Sequence, residues 1–272
     1  MKSIKHTFYS AILWTLLLAF IAAGCSDSTN SGTDELQEPD LLKLGEFTDN
    51  EYTVSVYSNE PLMVGYNDIY VEVHQDGDRM DHAHIHFNPM MQMENHSHAS
   101  PYGVPGQNRD DEHNLYKAWA IFTMPSGMMG SWELQFTIHD ADHNGLEING
   151  IVEIDVENSN RVKTFLAPDE TSYVITWIEP TEPEVGMNDL VVSLHKRESM
   201  MSFPPVTSAL MNFEPWMPSM GHGSSNNVDP VHEENGFYHG SVNFNMTGDW
   251  ELRFNVEMDG EELASPVFEL EF

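Results

Sequence analysis

Between residues 80 and 98 the chain carries Met80, His82, His84, His86, Met90, Met91, Met93, His96 and His98. Imidazole nitrogens and thioether sulfurs are borderline and soft ligands, and together they select copper over magnesium or calcium. Methionine with histidine suits Cu(I), whereas histidine alone suits Cu(II) or zinc. His82, His84 and His86 alternate with Ala83, Ile85 and Phe87. On a strand this alternation puts the three imidazoles on one face and the three apolar side chains in a core. At least two of the imidazoles could then meet one ion. Beyond Pro89 the expected loop adds Met90, Met91, Met93, His96 and His98.

A smaller set follows later. Met217, Met220 and His222 could make a three-ligand site, and Met217 and His222 have the spacing of Met91 and His96. The expectation is a principal copper site from His82, His84, His86, Met90, Met91, Met93, His96 and His98. Met217, Met220 and His222 would form a weaker one. Two other readings stand beside it. The methionines could be an apolar contact patch for another protein. Zinc could be held by His82, His84 and His86 alone.

Other polar candidates carry less. His139, Asp142 and His143 read as a solvated turn, and His74 and His195 as exposed strand ends. Met124 and Met246 read as core packing, Met128 and Met129 as a turn, and Trp132 and Trp250 as core anchors. Catalysis finds little support. There is no Gly-x-Ser-x-Gly elbow and no phosphate-cradling glycine loop, and no carboxylate pair stands out. The chain is not expected to be an enzyme.

The elements that must position these residues come from an internal repeat. Gly65-Tyr66-Asn67-Asp68-Ile69-Tyr70-Val71-Glu72-Val73-His74 returns as Gly186-Met187-Asn188-Asp189-Leu190-Val191-Val192-Ser193-Leu194-His195. Phe87-Asn88-Pro89-Met90-Met91 returns as Phe213-Glu214-Pro215-Trp216-Met217, and Trp132-Glu133-Leu134-Gln135-Phe136 as Trp250-Glu251-Leu252-Arg253-Phe254. Aligning Phe213 with Phe87 puts Ser208, Leu210 and Asn212 in place of the three histidines. The period is two: Ile69, Val71 and Val73 alternate with Tyr70, Glu72 and His74. That pattern means strands with one buried face. Short strands broken by Pro and Gly predict an all-β fold, two tandem immunoglobulin-like β-sandwich domains after a lipoprotein signal peptide. The expected divisions are residues 1–24 as signal, 25–44 as tether, 45–158 as copy one and 165–272 as copy two.

The signal assignment rests on Lys2 and Lys5 followed by an apolar run from Ala11 to Ala23. This is a secretory pattern, and the run is short for a membrane span of about 20 residues. Ala22-Ala23-Gly24-Cys25 resembles the lipobox of bacterial lipoproteins, which implies a lipid on Cys25. Cys25 is the only cysteine, so neither a disulfide nor a thiolate metal site is expected. Removing Lys2 and Lys5 leaves 9 basic residues against 44 acids, a net charge of about −35. Such a surface repels nucleic acid and anionic lipid. Membrane contact would come through the lipid anchor alone.

Each copy resembles the YtkA-like or FixH-like family. The resemblance rests on Gly186-Met187-Asn188 before a strand, the Met217-Pro218-Ser219-Met220-Gly221-His222 loop, Tyr238, and the Met246-Thr247-Gly248-Asp249-Trp250 turn. Copy one matches with Gly65-Tyr66-Asn67, Tyr116 and a longer turn from Met124 to Trp132. It differs at Gln92 and Asn95, where the loop pattern has Pro and Gly. The resemblance implies an immunoglobulin-like fold outside a membrane and a link to copper handling or cytochrome oxidase assembly. The expected function is a copper-binding lipoprotein of the bacterial envelope, facing periplasm or cell surface. It would serve as chaperone, buffer or resistance factor, exchanging copper, Cu(I) rather than Cu(II), with another copper-handling envelope protein. The alternatives are a non-metal interaction module or a zinc-binding protein.

Overall fold

The computed structural model describes residues 41–80, 82–106, 109–140 and 146–272, except for the side chains of Asp140 and Leu146. The signal and Cys25 lie outside the described residues.

The first half contains β1 (Leu42–Asp49), β2 (Tyr52–Ser58), β3 (Gly65–Gln75), β4 (Asp78–Arg79), β5 (Ala83–Gln92), β6 (Ser97–Ala99), β7 (Tyr102–Gly103), β8 (Tyr116–Phe122), β9 (Ser131–Asp140) and β10 (Leu146–Ile154). The second contains β11 (Val162–Leu166), β12 (Ser172–Glu179), β13 (Gly186–Arg197), β14 (Leu210–Met217), β15 (His222–Gly223), β16 (Val228–Glu234), β17 (Phe237–Phe244), β18 (Asp249–Met258), β19 (Glu261–Ala264) and β20 (Val267–Glu271). The chain is all-β, as its period-two pattern requires, and no helix occurs among the described residues.

Four sheets form. Sheet I runs β1-β2-β3-β8-β7, with β4 on β3, and sheet II runs β10-β9-β5-β6. Sheet III runs β11-β12-β13-β17-β16, and sheet IV runs β15-β14-β18-β19 with β20 also on β18. The second pair of sheets follows the strand order of the first pair.

Each pair encloses its own core. Val54, Val71, Ala118, Ile85, Trp132, Leu134, Phe136 and Ile148 fill the first. Ile175, Val192, Val242, Phe213, Trp250, Leu252, Phe254 and Phe268 fill the second. Burying such side chains contributes about 1.5–3 kcal/mol each, against the entropy of ordering them. The boundaries shift slightly from expectation. β1 starts at Leu42, inside the segment read as tether, because Leu44 packs against the first core. β11 starts at Val162, a few residues before the expected opening of the second sandwich.

The join between them is held from both sides. Glu157 N–H donates to the Leu62 carbonyl, and Ser159 Oγ donates to the Val64 carbonyl of the first sandwich. Arg161 donates to the carbonyls of Ile178, Pro180 and Thr181, with its guanidinium 4.1 Å from the Trp177 ring centroid. Residues 39–272 form one compact unit. Tyr66 and Trp119 from the outer side of sheet I meet Phe237 and His195 from the outer side of sheet III. His195 was expected at the surface; the first sandwich buries it to 2 % exposure. Thr176 and Ser193 are buried on the same face, and their hydroxyls find no protein partner among the described residues.

Candidate metal centre

β5 follows the alternation of its sequence. Ala83, Ile85 and Phe87 enter the first core, while His84 and His86 are exposed on the other face of sheet II. His82 stands exposed just before the strand. Residues two apart on a strand are roughly 6.6 Å apart, and sheet twist splays them further. The three imidazoles therefore do not converge. Among the described residues no three His, Cys, Asp or Glu side chains are grouped to hold a metal ion.

The rest of the window divides between the two faces. Met91 pairs with Trp132 on β9 and points into the core with no exposed surface. Met93 is half-buried against the same core. Met90 lies on the His84 and His86 side yet is also buried, with the Asn88 amide nitrogen 3.1 Å from its sulfur. His96 is exposed in the turn that β6 closes, where Met93 N–H donates to the His96 carbonyl. The eight residues expected as one site are thus split by the sheet itself.

What the fold does bring together is Met91 and His98. β6 turns back along β5, and His98 is the register partner of Met91. His98 is buried, and its ring meets the Trp132 indole edge-on at 5.6 Å. Its Nδ1 is 2.8 Å from the Ala99 carbonyl. A carbonyl only accepts, so Nδ1 carries the proton and the lone pair of the neutral ring sits on Nε2. Burial holds this imidazole below the usual histidine range against the pull of the Ala99 carbonyl, with Arg197 and His96 lowering it further. Neutral imidazole with its other nitrogen tied to a carbonyl is the arrangement a metal-ligating histidine needs.

The same arrangement recurs in the second sandwich. Gly221 N–H donates to the Met217 carbonyl, and this tight turn returns His222 to the register position opposite Met217. His222 Nδ1 is 2.9 Å from the Gly223 carbonyl. The partner of His222 is therefore His98, not His96 as residue spacing suggests; the first hairpin is longer, and register decides. Met217 is buried, while Met220 at the turn is exposed.

Both pairs sit beside a tryptophan hung from a methionine carbonyl. Trp132 Nε1 donates to the Met124 carbonyl at 2.8 Å, and Trp250 Nε1 to the Met246 carbonyl at 3.1 Å. Gly130 and Gly248, two residues before each tryptophan, have φ of 154° and 141°. A Cβ on Gly130 would lie 2.3 Å from the Gln92 carbonyl oxygen and 3.1 Å from the Met91 sulfur. One on Gly248 would lie 3.0 Å from Met217 Cε. The turn glycines thus leave room for the thioethers. Met124 is half-buried as expected, whereas Met246, expected in the core, is exposed in its turn. Met128 and Met129 are fully and largely exposed. Asp142 and His143 lie outside the described residues.

Residues 169–255 match the model of the YtkA-like family. The match supports a YtkA-like domain in the second half of the chain. That span covers most of the second sandwich, including Met217, His222 and Trp250. No curated protein matches the chain. Among solved structures, it is similar to the Escherichia coli adhesin FdeC at 11% identity and a TM-score of 0.27, covering 84% of this chain and 65% of that one. It is also similar to invasin, a bacterial integrin-binding protein, at 10% identity and a TM-score of 0.26, covering 81% and 39%. The D0-D1 domain of intimin aligns at 11% identity and a TM-score of 0.23, covering 79% and 95%. The chain thus spans less than two thirds of FdeC and of invasin.

Proposed function

We propose that this chain is an exported lipoprotein, lipidated at Cys25, that binds Cu(I) through paired methionine and histidine ligands. It holds two tandem copies of one YtkA-like domain on a polar tether at the cell envelope, facing periplasm or cell surface. Its task is to carry or buffer copper and pass it to another envelope protein. No turnover is involved.

The observation that supports this reading is the recurrence of one constellation. Met91 opposite His98 and Met217 opposite His222 each have Nδ1 bound to the next carbonyl. Thioether and free Nε2 side by side form a soft ligand pair. Met93 and Met124 pack against the first core, and Met220 and Met246 stand exposed in the turns of the second sandwich, so further thioethers are available in both halves. The test is a competitive Cu(I) titration of the full chain against a chromogenic chelator, repeated on the variant carrying His98→Ala and His222→Ala. One or two ions per chain, lost in the double variant, is the expected result. Equal Cu(I) uptake by both proteins overturns the assignment.

A second reading draws on a different observation. Met128, Met129, Met220 and Met246 stand exposed in turns, and flexible thioethers make adaptable contact surfaces. In that reading the chain is an interaction module. Purified protein that takes up no copper would favour it.

A further inference from the structure

The solvent face of sheet II holds an arrangement that no counting along the chain reveals. β5 and β9 pair antiparallel so that His84 lies opposite His139 and His86 opposite Thr137. Across β9, Glu147 of β10 lies opposite His139 and Asn149 opposite Thr137. The three imidazoles and Glu147 therefore share one face. His84, His86 and Glu147 are exposed, and His139 is half-exposed. The rings of His86 and His139 are 6.0 Å apart between centroids and nearly perpendicular, at 80°.

We propose that His86 and His139 form a two-imidazole site for a borderline divalent cation, Zn(II) or Cu(II), separate from the methionine-histidine pairs. The geometry is close to what such an ion requires. With metal–nitrogen bonds of about 2.0–2.1 Å and tetrahedral angles, two ligating imidazoles have centroids roughly 5 Å apart. Closing the present gap takes a modest side-chain rotation on an exposed surface. His84 lies opposite His139 in the register but diverges from His86 along β5, so water completes the shell of the two-imidazole site. The carboxylate of Glu147 is already oriented, because Asn149 Nδ2 donates to it at 3.1 Å and Thr137 Oγ1 in turn donates to Asn149 at 3.0 Å. A polar row of this kind is what fixes ligands around an ion.

Two features separate this site from the Cu(I) pairs. It lies on the solvent face, whereas Met91 and His98 point inward. It is also confined to the first sandwich. The positions matching His84, His86 and His139 in the register of β14 and β18 are Leu210, Asn212 and Glu257, and none is an imidazole. One divalent ion per chain follows. The site does not depend on Cu(I) binding.

The test is calorimetric titration of the full chain with zinc and, separately, with Cu(II), on the wild type, His139→Ala, His86→Asn and the His98→Ala with His222→Ala variant. The expected result is one zinc per wild-type chain. Affinity should fall at least the roughly tenfold that losing even an outer-shell partner costs in both His139→Ala and His86→Asn. The His98 and His222 variant should bind zinc as the wild type does, and His139→Ala should bind Cu(I) as the wild type does. Because these side chains lie on the surface, circular dichroism of each variant should match the wild type. Unchanged zinc affinity in His139→Ala overturns the site and leaves an edge-to-face ring contact. Zinc lost only in the His98 and His222 variant overturns it as well.

Discussion

His98 and Met91 face each other across the pairing of β5 and β6, at the edge of the first core and beside Trp132. Their counterparts, His222 and Met217, do the same across β14 and β15. One register and one carbonyl contact thus place a nitrogen opposite a sulfur twice in one chain, at the ends of turns of different length.

Replacing Met91 by leucine separates ligation from packing. Leucine conserves volume, so the cost in stability should stay below about 1.5 kcal/mol. The thioether is lost. Urea unfolding should change little, while Cu(I) affinity of the first sandwich falls; unaltered affinity would exclude Met91 as a ligand.

Gly130→Ala should be more damaging than its size suggests. The new Cβ meets the Gln92 carbonyl and the Met91 sulfur, at a φ of 154° that side chains rarely adopt. Strain of this kind costs roughly 1–3 kcal/mol. A lowered urea midpoint is expected, with Met91 methyl resonances displaced. Gly106→Ala provides a contrast, since nothing lies within 4 Å of its Cβ and its φ lies outside the left-handed region.

His195 makes the joint between the sandwiches sensitive to acid. Burial alone pushes its imidazole down to about 4, from an ordinary value of 6.5. The unfolded chain therefore takes up the proton before the folded one does. The stability this neutral residue supports is present above pH 6.5 and is lost progressively as pH falls toward 4. Over that window the loss amounts to about 3 kcal/mol, at 1.36 kcal/mol per unit. Urea midpoints at pH 7, 5 and 4 should decline in the wild type. His195→Gln should remove this part of the decline; an identical slope in the variant would contradict the assignment.

Trp132→Ala should destabilise the first sandwich by about 3–5 kcal/mol. The indole is fully buried, packs on Phe122 and carries the bond to the Met124 carbonyl. Loss of the His98 ring contact should also appear as a shifted His98 imidazole resonance. Normal stability would mean that the core repacks around the gap.

Much of the fold is legible because strand patterning is local. Ile85 and Phe87 go in and His84 and His86 go out for the single reason that side chains alternate along a strand. Trp132 and Trp250 anchor cores, as their spacing with Leu134, Phe136, Leu252 and Phe254 suggests. The candidate site was less legible. His96 and His98 look equivalent along the chain, and only the hairpin register separates them. His139 seems to belong with Asp142 and His143 until β9 is laid against β5.

The sequence by itself determined the strands, their inward faces and the supply of methionine and histidine side chains, because these depend on residue type and a period of two. Tertiary structure decided which of these side chains meet. Pairing register sets who stands opposite whom, and a sheet separates neighbours on the chain onto opposite faces. The docking of the two sandwiches was decided there too. His195, Thr176 and Ser193 follow a polar pattern that implies water, and another sheet covers them instead. Nothing in the local alternation of a strand records what will later pack upon its outer face.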